Sequence, residues 1–491
     1  MTSTTKTHNR TGTEPETSSP STDQLPPSTL GMPGLLATLA ALLLSVVSFS
    51  STGIAAPDIG SSLNASAAEQ SLVVSAYSLG FAVPLVLGGR LGDLFGRRRL
   101  MLLGMAGFTI LSLVATFTTN VTVLITVRAI TGVCAAAMVP QVLATITATT
   151  HGKERARAIG LFSATAGGAT AVGQVLGGLL LSAPLFGDGW RTVFAASVVM
   201  GALAFLAGLR WVPDSNAPGH RSLDLIGTVL LGGGLIALMI PVSQGSALGW
   251  PVWCWVLLVA APVLFVGFWT WQHRVHRRER APLIPPPLFD LLSYRTGTIM
   301  ALILQLGYGG FTFVFALTAQ TGLGWSPLVT SLILLPYALF FFAVSIWAGK
   351  LALRFAARSL LMVGGIIQAT LLVISAVVVY AQGDGLNAWV VAALLIGVGV
   401  GQAFMFGPLV GAMVADVPPK YAGAASGVLQ TTQQASTGLG VAIAGGLLIT
   451  VTSSPSGASA GSYVTALAVC LLVQAVIAVI FAVAALALPK R

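Results

Sequence analysis

The chain has 491 residues, 55% of them hydrophobic and only 8% charged, with a formal net charge of +10. Soluble domains carry about 25% charged residues, so a soluble enzyme is excluded; the long unbroken apolar runs also exclude a β-barrel, whose strands alternate over about 10 residues. The basic balance reads as membrane topology, because Lys and Arg collect in cytoplasmic loops, and no stretch is long enough to form a basic nucleic-acid-binding domain.

Residues 1–31 are rich in Ser, Thr and Pro and read as a disordered cytoplasmic tail. A bilayer-spanning helix needs about 20 apolar residues. Fourteen segments qualify, at 33–55, 70–89, 100–118, 121–146, 157–182, 191–212, 223–246, 250–271, 296–319, 327–348, 359–381, 387–414, 422–451 and 462–488. The prediction is an all-α integral membrane protein with 14 transmembrane helices. Of the 24 Lys and Arg residues, all but Arg128 and Arg191 fall in the tail, the closing residues or every second gap. Both termini are therefore expected in the cytoplasm. Cys134, Cys254 and Cys470 lie inside apolar segments and read as packing residues.

The stretch Gly89-Arg-Leu-Gly-Asp-Leu-Phe-Gly-Arg-Arg follows the second segment, and Gly349-Lys-Leu-Ala-Leu-Arg-Phe-Ala-Ala-Arg follows the tenth, 260 residues later. This echo predicts two pseudo-symmetric six-helix bundles, 32–213 and 296–491, separated at 214–295 by two inserted helices and a central loop. Repeats that enclose a site near the bilayer midplane are the usual plan of secondary transporters.

Four places carry chemistry. In the loop Gly89 to Arg99, glycines allow close approach, Asp93 can accept from a helix N-terminus or an arginine, and Arg97 and Arg98 anchor the inner face; the loop reads as a gate or as a plain anchor. Arg128 is a cation inside the fourth segment, a functional site by default, or else an arginine snorkelling to the outer surface. The fifth segment carries small residues at Gly160, Ala169, Gly173, Gly177 and Gly178, with Gln174 among them, spacing that permits close helix packing. Ser48, Gln141, Gln305, Tyr308 and Gln402 are candidate cavity-lining residues or interhelical hydrogen-bonded glue.

These motifs resemble the major facilitator superfamily. The Gly89–Arg99 loop matches its signature loop apart from Leu94, where a basic residue is usual. The residues around Arg128 are similar to its fourth-helix motif, with Thr131 in place of Gln. The fifth segment resembles the antiporter motif of its drug exporters, with Gln174 where Pro is expected and Ala169 where Gly is. Val417 to Gly427, Gln433-Gln434 and Trp190 to Phe194 look like the 14-span drug:proton antiporters of bacteria. The resemblance implies a monomeric, proton-coupled exporter in the bacterial plasma membrane, with a gating role for Gly89, Asp93, Gly96, Arg97 and Arg98 and a coupling role for Arg128. Those exporters often carry an Asp where this chain has Ser48. No carboxylate falls deep in any segment, so Asp58, at the outer end of the first, is the remaining coupling candidate.

No enzyme site is legible. The five histidines lie in the tail or inner loops, Gly457 to Gly461 fits a nucleophile elbow without a preceding strand, and Gly152-Lys153 and Gly349-Lys350 lack the Ser or Thr of a phosphate loop. No cofactor, metal or nucleic-acid partner is expected. Three functions remain: an ion-coupled exporter of hydrophobic drugs or an antibiotic, a carrier for one endogenous metabolite, and a membrane receptor or scaffold without flux. With Arg128 the one buried charge, neutral or anionic lipophilic substrates are expected over permanent cations.

Overall fold

The computed structural model describes residues 2, 30–214, 224–278, 280, 282–351, 354–418, 421–452 and 459–488. The expected tail thus lies almost wholly outside the described residues, which contain helices and no strand. In chain order the helices are α1 (Met32–Leu63), α2 (Ala67–Ala82), α3 (Leu85–Phe95), α4 (Arg97–Phe117), α5 (Val121–Thr149), α6 (Gly152–Leu181), α7 (Gly189–Trp211) and α8 (Leu225–Leu248). Then follow α9 (Val252–Arg277), the short α10 (Pro287–Asp290), α11 (Leu292–Leu317), α12 (Pro327–Leu351), α13 (Ala357–Gln382), α14 (Ala388–Val414), α15 (Ala422–Thr452) and α16 (Ala460–Ala484).

Twelve helices of the described residues are long and apolar enough to cross a membrane, two fewer than the fourteen the sequence predicts. The segments predicted at 70–89 and 157–182 account for the difference. The first is split at Val83 and Pro84 into α2 and α3, because proline has no N–H to continue the ladder. The second is one continuous helix, α6, whose opening turn is charged, and among its described residues the apolar stretch Gly168–Leu181 is shorter than a span.

Helix packing repeats. In the first set, α1 lies against α6 and α7, α2 against α5, and α4 against α5 and α7. In the second, α11 lies against α15 and α16, α12 against α14, and α13 against α14 and α16. Close approaches repeat with it. A Cβ on Gly132 would strike the carbonyl of Tyr77, and one on Gly399 would meet the carbonyl of Tyr337 at 2.5 Å. The sets touch through α2–α15, α6–α12 and α1–α11.

Between them in sequence, α8 and α9 pair with each other, and α8 rests on α2 and α15. Asp224 caps this hairpin. Its carboxylate accepts from Gly227 N, Trp271 Nε1, Gln272 Nε2 and Leu283 N, tying both helices to the segment before α10. The outer face of α9 exposes Val252, Val256, Val259, Val263 and Val266. Trp250, Trp253 and Trp255 stand near one end, and Trp269 and Trp271 near the other. About 16 residues at 1.5 Å each place the two groups about 24 Å apart, close to the hydrocarbon thickness that interfacial tryptophans flank.

Candidate functional site

A cavity of about 20 Å³ lies where the two sets meet, lined by Phe49, Ser50, Gly53, Ile54, Val74, Gln174, Tyr308, Thr312, Phe313 and Leu334. Its walls are paired by the repeat. Phe49 and Tyr308, Gly53 and Thr312, and Ile54 and Phe313 each stand 259 residues apart, and Val74 and Leu334 stand 260 apart. The cavity therefore sits on the axis relating the two sets. It has room for a water molecule, whereas ligand pockets run to about 300–1,000 Å³, so any larger occupant needs the sets to move apart. Polar groups are few. The Gln174 side chain is buried and its Oε1 has no hydrogen-bond partner.

Arg128 on α5 lies one layer behind this wall and is buried. Its Nε donates to the Val73 carbonyl at 3.3 Å and its Nη1 to Ser48 Oγ at 3.3 Å. The guanidinium lies 4.4 Å from the Tyr77 ring centre, and Nη2 has no partner. Tyr77 is fixed in turn by Ser45, its hydroxyl and Ser45 Oγ lying 2.6 Å apart. No described carboxylate comes within ion-pair distance of Arg128. Cation–π attraction and two neutral acceptors hold it, which leaves its charge uncancelled. This full burial rules out the snorkelling alternative.

Of the predicted cavity residues, Tyr308 lines the cavity; the others do not. Ser48 is turned to Arg128. Gln141 donates from Nε2 to the Gly88 carbonyl at 2.8 Å, joining α5 to α3. Gln402 accepts from the Tyr337 hydroxyl at 2.8 Å within the second set. Gln305 lines a separate cleft, closed to water, with Leu304, Phe406, Leu409 and Gln433. Amides at sequence-equivalent depths face different neighbours because helix rotation, which a span assignment does not fix, decides their direction. The residues that reasoning missed, Phe49, Gly53, Ile54, Thr312 and Phe313, are mostly apolar. Apolar residues inside apolar spans gave the sequence no signal by which to find them.

In the signature loop, Gly96 ends α3 with φ +94°, a conformation that favours glycine. Arg97 Nη1 then reaches the Ala144 carbonyl at 2.9 Å near the end of α5, and Arg98 Nη2 the Leu209 carbonyl at 2.6 Å near the end of α7. Cations are favoured at such carbonyl ends. Both arginines thereby clamp helices of the first set. Gly89 lies within α3, and the Asp93 side chain lies outside the described residues, as does the surrounding of Gly160. On α6, a Cβ at Gly173 would meet Val47 Cα at 2.9 Å, and one at Gly177 would meet Ser51 Cα at 2.9 Å, both on α1. Gly178 faces the other way, against Ser331 and the Pro327 carbonyl on α12. The small-residue motif thus seats α6 between the two sets.

At the end opposite the Arg97–Arg98 clamp, Asp58 accepts from Trp190 N at 2.8 Å, where α7 begins. Asp188 beside it accepts from Ser62 Oγ at 2.7 Å and from Arg191 Nε at 3.1 Å. Arg191 Nη1 also holds the Thr116 and Thr118 carbonyls at 2.8 and 2.7 Å. Sequence reasoning named Asp58 but missed this clasp, although Arg191 was the lone cation in an outer gap. The Ser62 hydrogen bond, then Arg191, hold the Asp188 carboxyl below its usual value of 3.8. A depressed pKa gives stability that is present above the unfolded value and is lost as pH falls through the folded one. The clasp is therefore intact across physiological pH. Asp188→Asn is expected to lower the melting temperature slightly, as suits a half-exposed ion pair, and to leave the pH profile of transport between about pH 5 and 8 unchanged. A shifted profile would mean that Asp188 exchanges protons.

Residues 38–441 match the family model described as Major Facilitator Superfamily. The chain is 33% identical to the probable actinorhodin transporter of Streptomyces coelicolor over 86% of its own length and 73% of that protein's. It is 34% identical to a puromycin resistance protein of Streptomyces alboniger, covering 84% of this chain and 80% of that one. In fold it is similar to a bacterial homologue of the human lysosomal transporter Spinster, solved in an inward-facing, occupied conformation, with a TM-score of 0.64, 16% identity and coverage of 92% and 95% of the two chains. With its repeated helix packing and its cavity on the axis between the repeats, the chain belongs to the major facilitator superfamily and is a multi-pass membrane transporter, not an enzyme.

Proposed function

We propose that the protein is a secondary active exporter of hydrophobic drugs or an antibiotic in a bacterial plasma membrane, working by proton-coupled antiport and alternating access. The observation that carries this reading is the closed cavity on the repeat axis. Rocking one half against the other around such a site exposes it to each side in turn. Relatives named for antibiotic transport, resistance and multidrug resistance support the substrate class. In this reading the chain crosses the membrane fourteen times, with α2 and α3 together as one broken span and the continuous α6 as a further span, and with both termini in the cytoplasm. Residues 32–213 and 296–491 are the two moving halves, and 214–295 carries the inserted hairpin. The protein works as a monomer. Arg128 is the fixed charge of the coupling machinery, and Asp58 the candidate proton acceptor at the far end. Gln174 and Tyr308 meet the substrate.

The described cavity side chains include no carboxylate, and desolvating an unpaired cation costs several kcal/mol, so neutral or anionic lipophilic substrates are favoured. The test is a susceptibility panel on efflux-deficient cells expressing the chain. Raised resistance to neutral or acidic aromatic antibiotics, abolished by a protonophore, is the expected result. Strong resistance to ethidium alone, or none to any compound, would overturn the reading.

A further inference from the structure

The two halves carry the same ring column and end it differently. In the first half Phe49, Tyr77 and Phe81 follow one another with ring centres 6.0 and 6.0 Å apart. In the second, Tyr308, Tyr337 and Phe341 occupy the repeat-equivalent positions, with spacings of 6.5 and 6.4 Å and near-parallel planes at 16° and 12°. The first column is capped by charge, since the Arg128 guanidinium lies over Tyr77. The Gly132–Gly399 correspondence, 267 residues, puts Leu395 opposite Arg128 and Val139 opposite Phe406. The second column therefore carries no cation and gains a fourth ring, with Phe406 6.0 Å from Phe341 at 66°. Phe406 lines the closed cleft that also holds Gln305 and Gln433. Among the described residues, no side-chain hydrogen bond ties either of these amides in place. The cleft lies toward the clamp end, since Gly297 and Met413 meet just beyond it.

We propose that the column Tyr308–Tyr337–Phe341–Phe406 leads to a second binding subsite at Gln305, Phe406 and Gln433, which a flat, uncharged aromatic substrate occupies on its way to the central cavity. The inference rests on the export reading above. The rings of the column pack on one another, and Phe406 at its end borders the cleft, where it offers a stacking partner to a planar guest. Gln305 and Gln433, whose side chains have no hydrogen bonds among the described residues, offer it donors and acceptors. The charged first column cannot serve equally, because its middle ring already engages a guanidinium and its end is Val139.

The test is export of a neutral anthraquinone from proteoliposomes bearing an imposed proton gradient. Phe406→Ala and Phe406→Leu are expected to raise KM about 5-fold, the loss of roughly 1 kcal/mol of ring stacking, with kcat preserved. Phe81→Ala, the first-half control, is expected to leave KM within about 2-fold. Phe406→Leu keeps an apolar group in place, so its agreement with the alanine variant separates loss of the ring from loss of packing. An unchanged KM in both Phe406 variants, or an equal rise in Phe81→Ala, would overturn the subsite while leaving the export reading intact. No anthraquinone flux by the native protein would remove both.

Discussion

Arg128→Met is expected to abolish export, by about 100-fold or more, while leaving the protein at least as stable as before. The two effects part because of how the cation is held. Arg128 is buried, touches the Val73 carbonyl, Ser48 and the Tyr77 ring, and has no described carboxylate to cancel it. Replacing buried charge by an apolar side chain of similar volume is often neutral or stabilising by about 1–4 kcal/mol. A charge kept at such a cost inside a membrane protein is retained for function, and a 100-fold loss of flux corresponds to about 2.7 kcal/mol in the barrier. Arg128→Lys is expected to fail nearly as badly, because an ammonium cannot donate to Val73 and Ser48 while lying flat on Tyr77. The measurement is flux in proteoliposomes beside a melting curve for each variant. Export by Arg128→Met within twofold of native would reduce Arg128 to a packing residue. Ser48→Asp is the complementary variant. It places a carboxylate beside Nη1, cancels the fixed charge, and is expected to admit ethidium, which the uncancelled cation repels.

The second large effect concerns neighbouring glycines with opposite jobs. Gly177 packs α6 on α1 within the first half, whereas Gly178 packs α6 on α12 across the halves. Adding a side chain where backbone approaches backbone costs about 1–3 kcal/mol. Gly177→Val imposes that cost on every conformation and is expected to lower stability and yield. Gly178→Val imposes it only where the halves meet as they do here, since under the proposed alternating access its neighbours Ser331 and Pro327 would separate as that end opens. A state-specific cost of about 2.7 kcal/mol shifts the balance between states about 100-fold. Gly178→Val is therefore expected to fold normally, to transport poorly, and to expose a cysteine introduced at Ile54 to a membrane-impermeant thiol reagent. A buried Ile54→Cys in the Gly178→Val background, with normal flux, would show that this contact does not gate.

Composition and periodicity were enough to establish an all-helical membrane protein, because a bilayer forces each span to satisfy its own backbone and to present an apolar surface. The Gly89–Arg99 loop, and its echo near Gly349, also announced the family and its repeat, since tight turns and cationic clamps depend on local sequence. One segment escaped a simple span count for an equally local reason, the proline at Pro84 that splits it into α2 and α3. What the sequence could not determine was direction. Ser48, Gln141 and Gln402 were legible as polar residues in apolar helices, but each found its partner on another helix, and only helix rotation and packing decided that Ser48 meets Arg128 and not the cavity. The cavity wall itself is mostly apolar, and apolar residues inside apolar spans carry no signal until tertiary structure brings Phe49 to Tyr308 and Ile54 to Phe313 across the axis.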